Sequence, residues 1–170
     1  NRAMSESLLD AKNDSEAIST FLSEFQDSPL TQQSYTKEIE RLLLWCIYIG
    51  KTNISSMRRN HVIEYQDFLK NPQPNKIWVG PKAARQLKDG SVNPKWRPFG
   101  KTLGATTCNK VITILDSFFN YLVQSNYLEG NPLAVDRRRK RRNKTKPQLI
   151  DRYLELDEIY AVLHAIETSA

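Results

Sequence analysis

The chain has 170 residues, of which 39% are hydrophobic and 26% charged. These proportions exclude a disordered chain and fit one globular domain with part of a second. No apolar run approaches the roughly 20 residues that a membrane span needs. The net charge of +6 is unevenly divided: residues 71–104 hold seven Lys or Arg and one Asp, residues 137–146 hold eight and no acid, and the remainder holds ten basic and 18 acidic residues. Two basic segments on a mildly acidic body indicate a polyanionic partner.

The cysteine and histidine content predicts neither a disulfide nor a metal site. Cys46 and Cys108 both fall within apolar helical patterns, so we expect buried free thiols in a reducing compartment. His61 and His164 are far apart and no CxxC pair is present, so we expect no metal and no cofactor. The first ten residues lack the apolar core of a secretory signal, and the expected location is cytoplasmic.

The first three helices are predicted from apolar residues that recur every three to four positions. The first covers about 15–26, with Asp14 or Ser15 as N-cap. The second covers about 31–49, with Thr31 as N-cap, Gly50 as a left-handed stop and an apolar stripe that includes Ile49. The third covers about 60–70 and places Ile63 inward among its apolar positions.

The fourth helix, about 105–125, has the clearest pattern. Its continuous apolar face consists of Cys108, Val111, Ile112, Leu115, Phe118, Phe119 and Leu122. Thr106 or Thr107 is the expected N-cap, and Asn131-Pro132 closes the unit because proline disfavours helix in the residue before it. No segment has the two-residue period of a strand. The pattern predicts a small all-α bundle of four to five helices.

Residues 71–104 interrupt the helices with a long insertion. They contain five of the eight prolines and four of the six glycines, and a loop of this length is usually functional or disordered. Residues 82–88, "KAARQLK", could form a turn or two of helix. Trp78, Trp96 and Phe99 stand among basic residues, an arrangement that could stack on bases or sugars. We favour the alternative that these aromatic side chains hold the insertion against the body.

The C-terminal part is divided into a basic linker and the start of a further domain. Residues 1–134 are assigned to the helical domain, 135–151 to the linker and 152–170 to a truncated second domain that opens with an amphipathic helix. The basic run "RRRKRRNKTK" (137–146) could be a solvated linker, a nuclear-import signal or a strap across a nucleic-acid backbone, and the last is favoured. Fully extended, about 15 residues could reach about 50 Å, which is far more than the roughly 12 Å width of a major groove.

Three stretches carry a family resemblance through their order and spacing. They are "TQQSYTKEIERLLLWCIYIG" (31–50), "ATTCNKVITILDSFFNYLVQSNYLEGNPL" (105–133) and "RYLELDEIYAVLHAIE" (152–167). They resemble, in turn, the first core helix, the last core helix with its exit, and the opening of the catalytic domain in the tyrosine recombinase (phage integrase) family. The chain departs from the family in having Glu155 where Thr or Ser commonly caps the first catalytic-domain helix, and in its longer insertion.

The resemblance implies an N-terminal core-binding domain with a SAM-like helical fold, one jaw of a clamp around duplex DNA. The family's nucleophilic tyrosine and the groups that stabilise its phosphorane-like transition state belong to the catalytic domain, so this chain is expected to be inactive alone and no residue in it is assigned a catalytic role. Family members assemble as tetramers on paired DNA sites, whereas this fragment could be monomeric. A bacterial, phage or mobile-element protein acting at the nucleoid is expected.

Candidate DNA contacts fall in three groups, and phosphate contact is the main role expected of them. The polar face of the second helix offers Ser34, Lys37 and Arg41, although Glu38 and Glu40 alternate with these cations. The start of the fourth helix offers Lys101, Thr106, Thr107, Lys110 and Thr113, and the linker offers Arg137, Arg138, Arg139, Lys140, Arg141, Arg142, Lys144 and Lys146. Two rival functions remain open: a stand-alone helical DNA-binding regulator and a helical protein–protein interaction module.

Overall fold

A computed structural model describes residues 2–3, 6–91 and 93–134. The chain divides into two units, Asn1–Arg137 and Arg138–Ala170, and every described residue belongs to the first. The predicted linker, its basic run and the trailing helix therefore lie outside the described residues.

The described part of the chain contains five α-helices and no strand, which confirms the all-α prediction. They are α1 (Asp14–Ser23), α2 (Pro29–Trp45), α3 (Arg59–Lys70), the four-residue α4 (Asn75–Trp78) and α5 (Ala105–Gln124). A π turn, Cys46–Gly50, continues α2, and a 3-10 turn, Ile54–Ser56, precedes α3. The four periodic segments of the sequence correspond to α1, α2 with its π turn, α3 and α5.

The core forms around α5, which contacts α1, α2 and α3. Its apolar face is buried as the pattern predicts, except that Ile112 is only partly buried. The ring centroids of Phe118 and of Phe21 on α1 lie 5.1 Å apart. Burial of a large apolar side chain contributes about 1.5–3 kcal/mol. The largest fully buried side chains are Trp45, Tyr65, Phe99, Phe118, Phe119, Ile39, Leu42, Ile54, Met57, Leu69, Leu115 and Leu122.

The predicted N-caps are wrong at all three helices for which one was named. At α1 the cap is Asn13, whose side chain accepts a hydrogen bond from the Glu16 N–H at 3.0 Å. Helix α2 begins ahead of Thr31, because Pro29 at its first turn has a backbone φ that suits a helix start. At α5 the cap is Gly104 rather than Thr106 or Thr107, and no side chain caps that helix.

The end of α2 also differs from its predicted form. The left-handed residue is Lys51, with φ 46°, and not Gly50. Gly50 instead leaves room for the Trp45 ring, because a Cβ at this position would lie 2.6 Å from that ring. The wider π turn changes the angular register of the apolar stripe, which leaves Ile49 40% exposed. On α3, Ile63 is likewise 46% exposed rather than inward.

The insertion is held to the body by two buried aromatic side chains. Trp78 and Phe99 are 4% and 0% exposed and both pack on Phe68 of α3, at 4.9 and 6.0 Å between ring centroids. The Phe99 N–H donates to the Trp78 carbonyl at 3.0 Å, and the Gly80 N–H donates to the Phe99 carbonyl at 2.9 Å. The anchoring role favoured for these aromatic residues is confirmed for Trp78 and Phe99, whereas Trp96 is only half-buried. The suggested helix at 82–88 is absent, and α4 is the short helix of the insertion.

The two thiols are free and buried, as predicted. Burial, together with the nearby charge of Asp14, raises the pKa of Cys46 to about 12. Burial also raises the pKa of Cys108. Both thiols are therefore protonated at neutral pH and act as apolar packing groups.

Candidate nucleic-acid interface

The first turns of α5 present an exposed polar surface. Thr106, Thr107, Lys110 and Thr113 are all exposed, as the alternation with the buried face predicts. Because Gly104 has no side chain to cap the helix, the first N–H groups of α5 are open to an anion, and the helix dipole favours negative charge there. The Thr113 hydroxyl donates to the Asn109 carbonyl at 3.0 Å, so toward a ligand it acts as an acceptor.

The polar face of α2 contributes less than its sequence suggested. Lys37 is exposed, with 55% of its side chain accessible, and its ammonium pairs with Glu38 at 3.1 Å. Ser34 is half-buried. Lys37 therefore offers the main charge on this face.

Arg41 does not belong to the candidate interface, because it is buried. One of its terminal nitrogens, Nη1, donates to both carboxylate oxygens of Glu38, at 3.0 and 2.9 Å. Its Nε donates to the Pro98 carbonyl at 2.9 Å, and its Cζ lies 4.4 Å from the centroid of the Phe99 ring. Charge-assisted bonds of this kind are among the stronger hydrogen bonds in proteins. The Arg41 guanidinium therefore joins the insertion to α2 and is not available to bind a phosphate.

A groove between α2 and the insertion collects cations from both elements. We call it the cationic groove; it has a volume of about 390 Å³. Arg85 forms an ion pair with Glu40 of α2 and lies over the Trp96 ring at 5.4 Å. The lining of the cationic groove includes one carboxylate, Glu40, and five cations: Lys37, Arg41, Lys82, Arg85 and Arg97.

The cationic groove also links two of the predicted site segments. Gly100 lines it together with Lys37, and the exposed Lys101 follows directly before the chain enters α5 at Ala105. The fold therefore brings Lys37 of α2 next to Gly100 and Lys101, the segment that leads into α5. Lys82, Arg85 and Arg97 were not predicted as site residues; the signals in the sequence were the high density of basic residues in 71–104 and their interleaving with aromatic residues.

The remaining candidates, Arg137, Arg138, Arg139, Lys140, Arg141, Arg142, Lys144 and Lys146, lie outside the described residues and stay a prediction. Among the residues that the structure does describe, no group of three His, Cys, Asp or Glu side chains could hold a metal ion. No helix within this described part is long and apolar enough to cross a membrane.

Comparison with protein-family models, with curated proteins and with solved structures gives no match for this chain. Its function is therefore inferred from its own residues and their geometry.

Proposed function

We propose that this chain is the DNA-binding module of a site-specific tyrosine recombinase or integrase, which clamps duplex DNA at the core site for strand cleavage and rejoining. The observation that carries the proposal is the exposed start of α5, where uncapped backbone N–H groups stand beside Thr106, Thr107 and Lys110. A helix start of this kind is suited to bind phosphate. The three-part resemblance of the sequence also supports the proposal, because the first core helix, the last core helix with its exit and the opening of the catalytic domain follow in the family's order, with the basic run lying between the last two.

The dimensions of α5 suit duplex DNA. A helix with side chains is about 10–12 Å across, which matches the roughly 12 Å width of a major groove. The exposed first turns of α5 would approach the groove while the apolar face of the helix stays packed in the core. Phosphate contacts by the α5 N–H groups and by Lys101 would fix the position of the helix. Lys110, in the first turns of the helix, would add a further phosphate contact, and Thr113, one turn further along the same exposed face, would then reach base edges.

The basic run at 137–146 supplies the second element of the proposed clamp. Its eight cations would cross the duplex backbone, where each phosphate contact releases counterions and makes binding salt-dependent. The module contributes binding and positioning without metal or cofactor, and the phosphotyrosyl chemistry belongs to the family's catalytic domain. The full-length protein would act as a tetramer on paired sites at a bacterial nucleoid.

Binding to a labelled random DNA duplex, measured by fluorescence anisotropy over a range of salt concentrations, tests the proposal. With five or six phosphate contacts from the run, log K should fall against log salt with a slope near −5. Replacing the eight cations of the run by Gln should remove most of that slope. A slope near −1 for the unaltered chain would contradict the clamp, and negligible binding by both proteins would favour a protein–protein module.

A substitution on α5 separates its contribution from that of the run. Lys110→Ala should weaken binding to every duplex alike and reduce the magnitude of the salt slope by about 1, as for a single phosphate contact. Lys12→Ala, which removes an exposed cation from the segment before α1, is the matched control and should leave the slope unchanged. Equal effects of the two substitutions would remove α5 from the interface.

A further inference from the structure

A second groove, which we call the apolar groove, lies between the end of α2 and the insertion. It has a volume of about 510 Å³ and is lined by Leu44, Tyr48, Ile49, Pro74, Ile77, Trp78, Trp96 and Pro98. Three of these side chains are unusually open for their size: Tyr48 is 64% exposed, Ile77 60% and Ile49 40%. Large exposed apolar side chains gathered at one place mark contact sites rather than ordinary solvated surface.

The apolar groove adjoins the cationic groove. Trp96 and Pro98 line both, so these two residues form the wall between them. On the cationic side Arg85 lies over the Trp96 ring at 5.4 Å. A ligand that occupies both grooves would therefore place apolar groups on one side of this wall and negative charge on the other.

Arg97, which lies between Trp96 and Pro98, ties this wall to α4. Its Nε donates to the Lys76 carbonyl at 2.9 Å, and its Nη1 donates to the carbonyls of Pro94 and Trp96 at 2.8 and 2.7 Å. These bonds join α4, which carries Ile77, to the segment 94–97 of the insertion. A site held in place before binding loses less conformational entropy when the ligand arrives.

The lining of the apolar groove favours a protein over a nucleic acid. Base stacking needs open aromatic faces, but Trp78 is 4% exposed and packed edge-on against Phe68 at 4.9 Å. Arg85 occupies the Trp96 ring on the cationic side. The other lining residues are aliphatic or proline, apart from Tyr48. Aliphatic side chains of a partner fit such a surface better than a base, whose polar edges would lose water without gaining hydrogen bonds.

We propose that the two adjoining grooves form a docking site for an acidic amphipathic segment of a partner protein. Its apolar side chains would fill the apolar groove over Ile77, and its carboxylates would lie beside Lys82 and Arg85 in the cationic groove. The apolar contacts supply most of the affinity, while the charges set orientation and association rate. This site goes beyond the proposed DNA-binding function, since its partner is a protein and Ile77, Lys82 and Arg85 belong neither to the start of α5 nor to the basic run, on which that function rests.

Selection from a displayed library of random short peptides against the whole chain tests the site. The expected product is a set of peptides that combine Asp or Glu with Leu, Ile, Phe or Trp at helical spacing. Selected peptides are then synthesised and their Kd values measured by fluorescence anisotropy. Failure to enrich any sequence, or enrichment of sequences without carboxylates or without large apolar residues, would overturn the proposal.

Two substitutions of the same kind locate the binding. Ile77→Glu should weaken binding of the selected peptides at least about tenfold, as for a residue at the centre of an interface. Ile63→Glu is the matched control, because Ile63 is 46% exposed on α3 and lines neither groove, and it should leave the Kd unchanged. Equal effects of the two substitutions would place the peptides elsewhere and overturn the proposal.

Charge and competition complete the test. Lys82→Glu should weaken the binding of the acidic peptides, with the largest increase in Kd at low salt. Oligothymidine should not displace them; displacement that depends on Ile77 would assign the grooves to single-stranded nucleic acid instead. The helical circular dichroism of Ile77→Glu should match that of the unaltered chain, and its affinity for the random duplex should be retained. Duplex binding and peptide binding can therefore fail independently.

Discussion

Removal of the Arg41 charge should destabilise the body and release the insertion. In the Arg41→Met variant the carboxylate of Glu38, only 4% exposed, loses its two charge-assisted hydrogen bonds, and the Pro98 carbonyl loses its donor. Breaking a buried ion pair from one side costs about 3–5 kcal/mol. Since Lys37 still reaches Glu38 at 3.1 Å, we expect the lower value, about 3 kcal/mol, or a fall in Tm of about 6–12 °C.

Urea denaturation followed by circular dichroism measures this loss. The double variant Glu38→Gln, Arg41→Met should be more stable than Arg41→Met alone, because it leaves no uncompensated buried charge. Lys70→Met is the control: it breaks an exposed pair with Asp67, 2.8 Å long, and should have no measurable effect. If Arg41→Met were no more destabilising than Lys70→Met, the Arg41 guanidinium would not be holding the insertion to α2.

Three further predictions concern the core. Gly50→Ala should destabilise the protein by about 1–3 kcal/mol through overpacking against Trp45, whereas Gly100→Ala, which meets nothing within 4 Å, should be tolerated in the same urea titration. The buried Tyr65 hydroxyl has no hydrogen-bond partner among the described residues, so Tyr65→Phe should raise the free energy of unfolding by about 1 kcal/mol; a loss of stability would indicate an unseen partner. Burial raises the pKa of Cys46 to about 12 from an ordinary 9.0, so as the pH rises the unfolded chain loses this proton before the folded chain does. The contribution of Cys46 to the free energy of unfolding should therefore be fully present below pH 9.0 and decrease above it. Unfolding measured at stepwise higher pH should show a smaller decrease for Cys46→Ala.

The helical framework was predictable because its pattern is local. The apolar face of α5 recurs every three to four residues, and Phe118 and Leu122 are buried as that period requires. The anchoring of the insertion by Trp78 and Phe99 followed from residue type, since large aromatic side chains in a polar loop usually find a core. Both features can be predicted from local sequence alone, without knowing which distant residues are in contact.

The predictions that were wrong concern residues whose position depends on partners remote in sequence or on small changes of backbone register. Arg41 lies on a helix face with other charged residues, and its burial depends on the Pro98 carbonyl, 57 positions away. Ile49 fits the stripe of an α-helix, but the π turn moves it toward solvent. The convergence of Lys82 and Arg85 with Lys37 arises from the folded path of the insertion and has no local signal.

The paired backbone bonds between Trp78, Gly80 and Phe99 have a consequence for how this chain can vary. They close the insertion at its base, so the residues between 81 and 98 depart from the body and return to it at neighbouring points. The entropic cost of a closed loop rises only with the logarithm of its length. The part of the insertion between Arg85 and Trp96 could therefore lengthen, shorten or exchange its content in related chains, while the aromatic base, the bundle and the contacts of Arg85, Arg97 and Pro98 stay the same. New binding specificity can be added there without redesign of the fold.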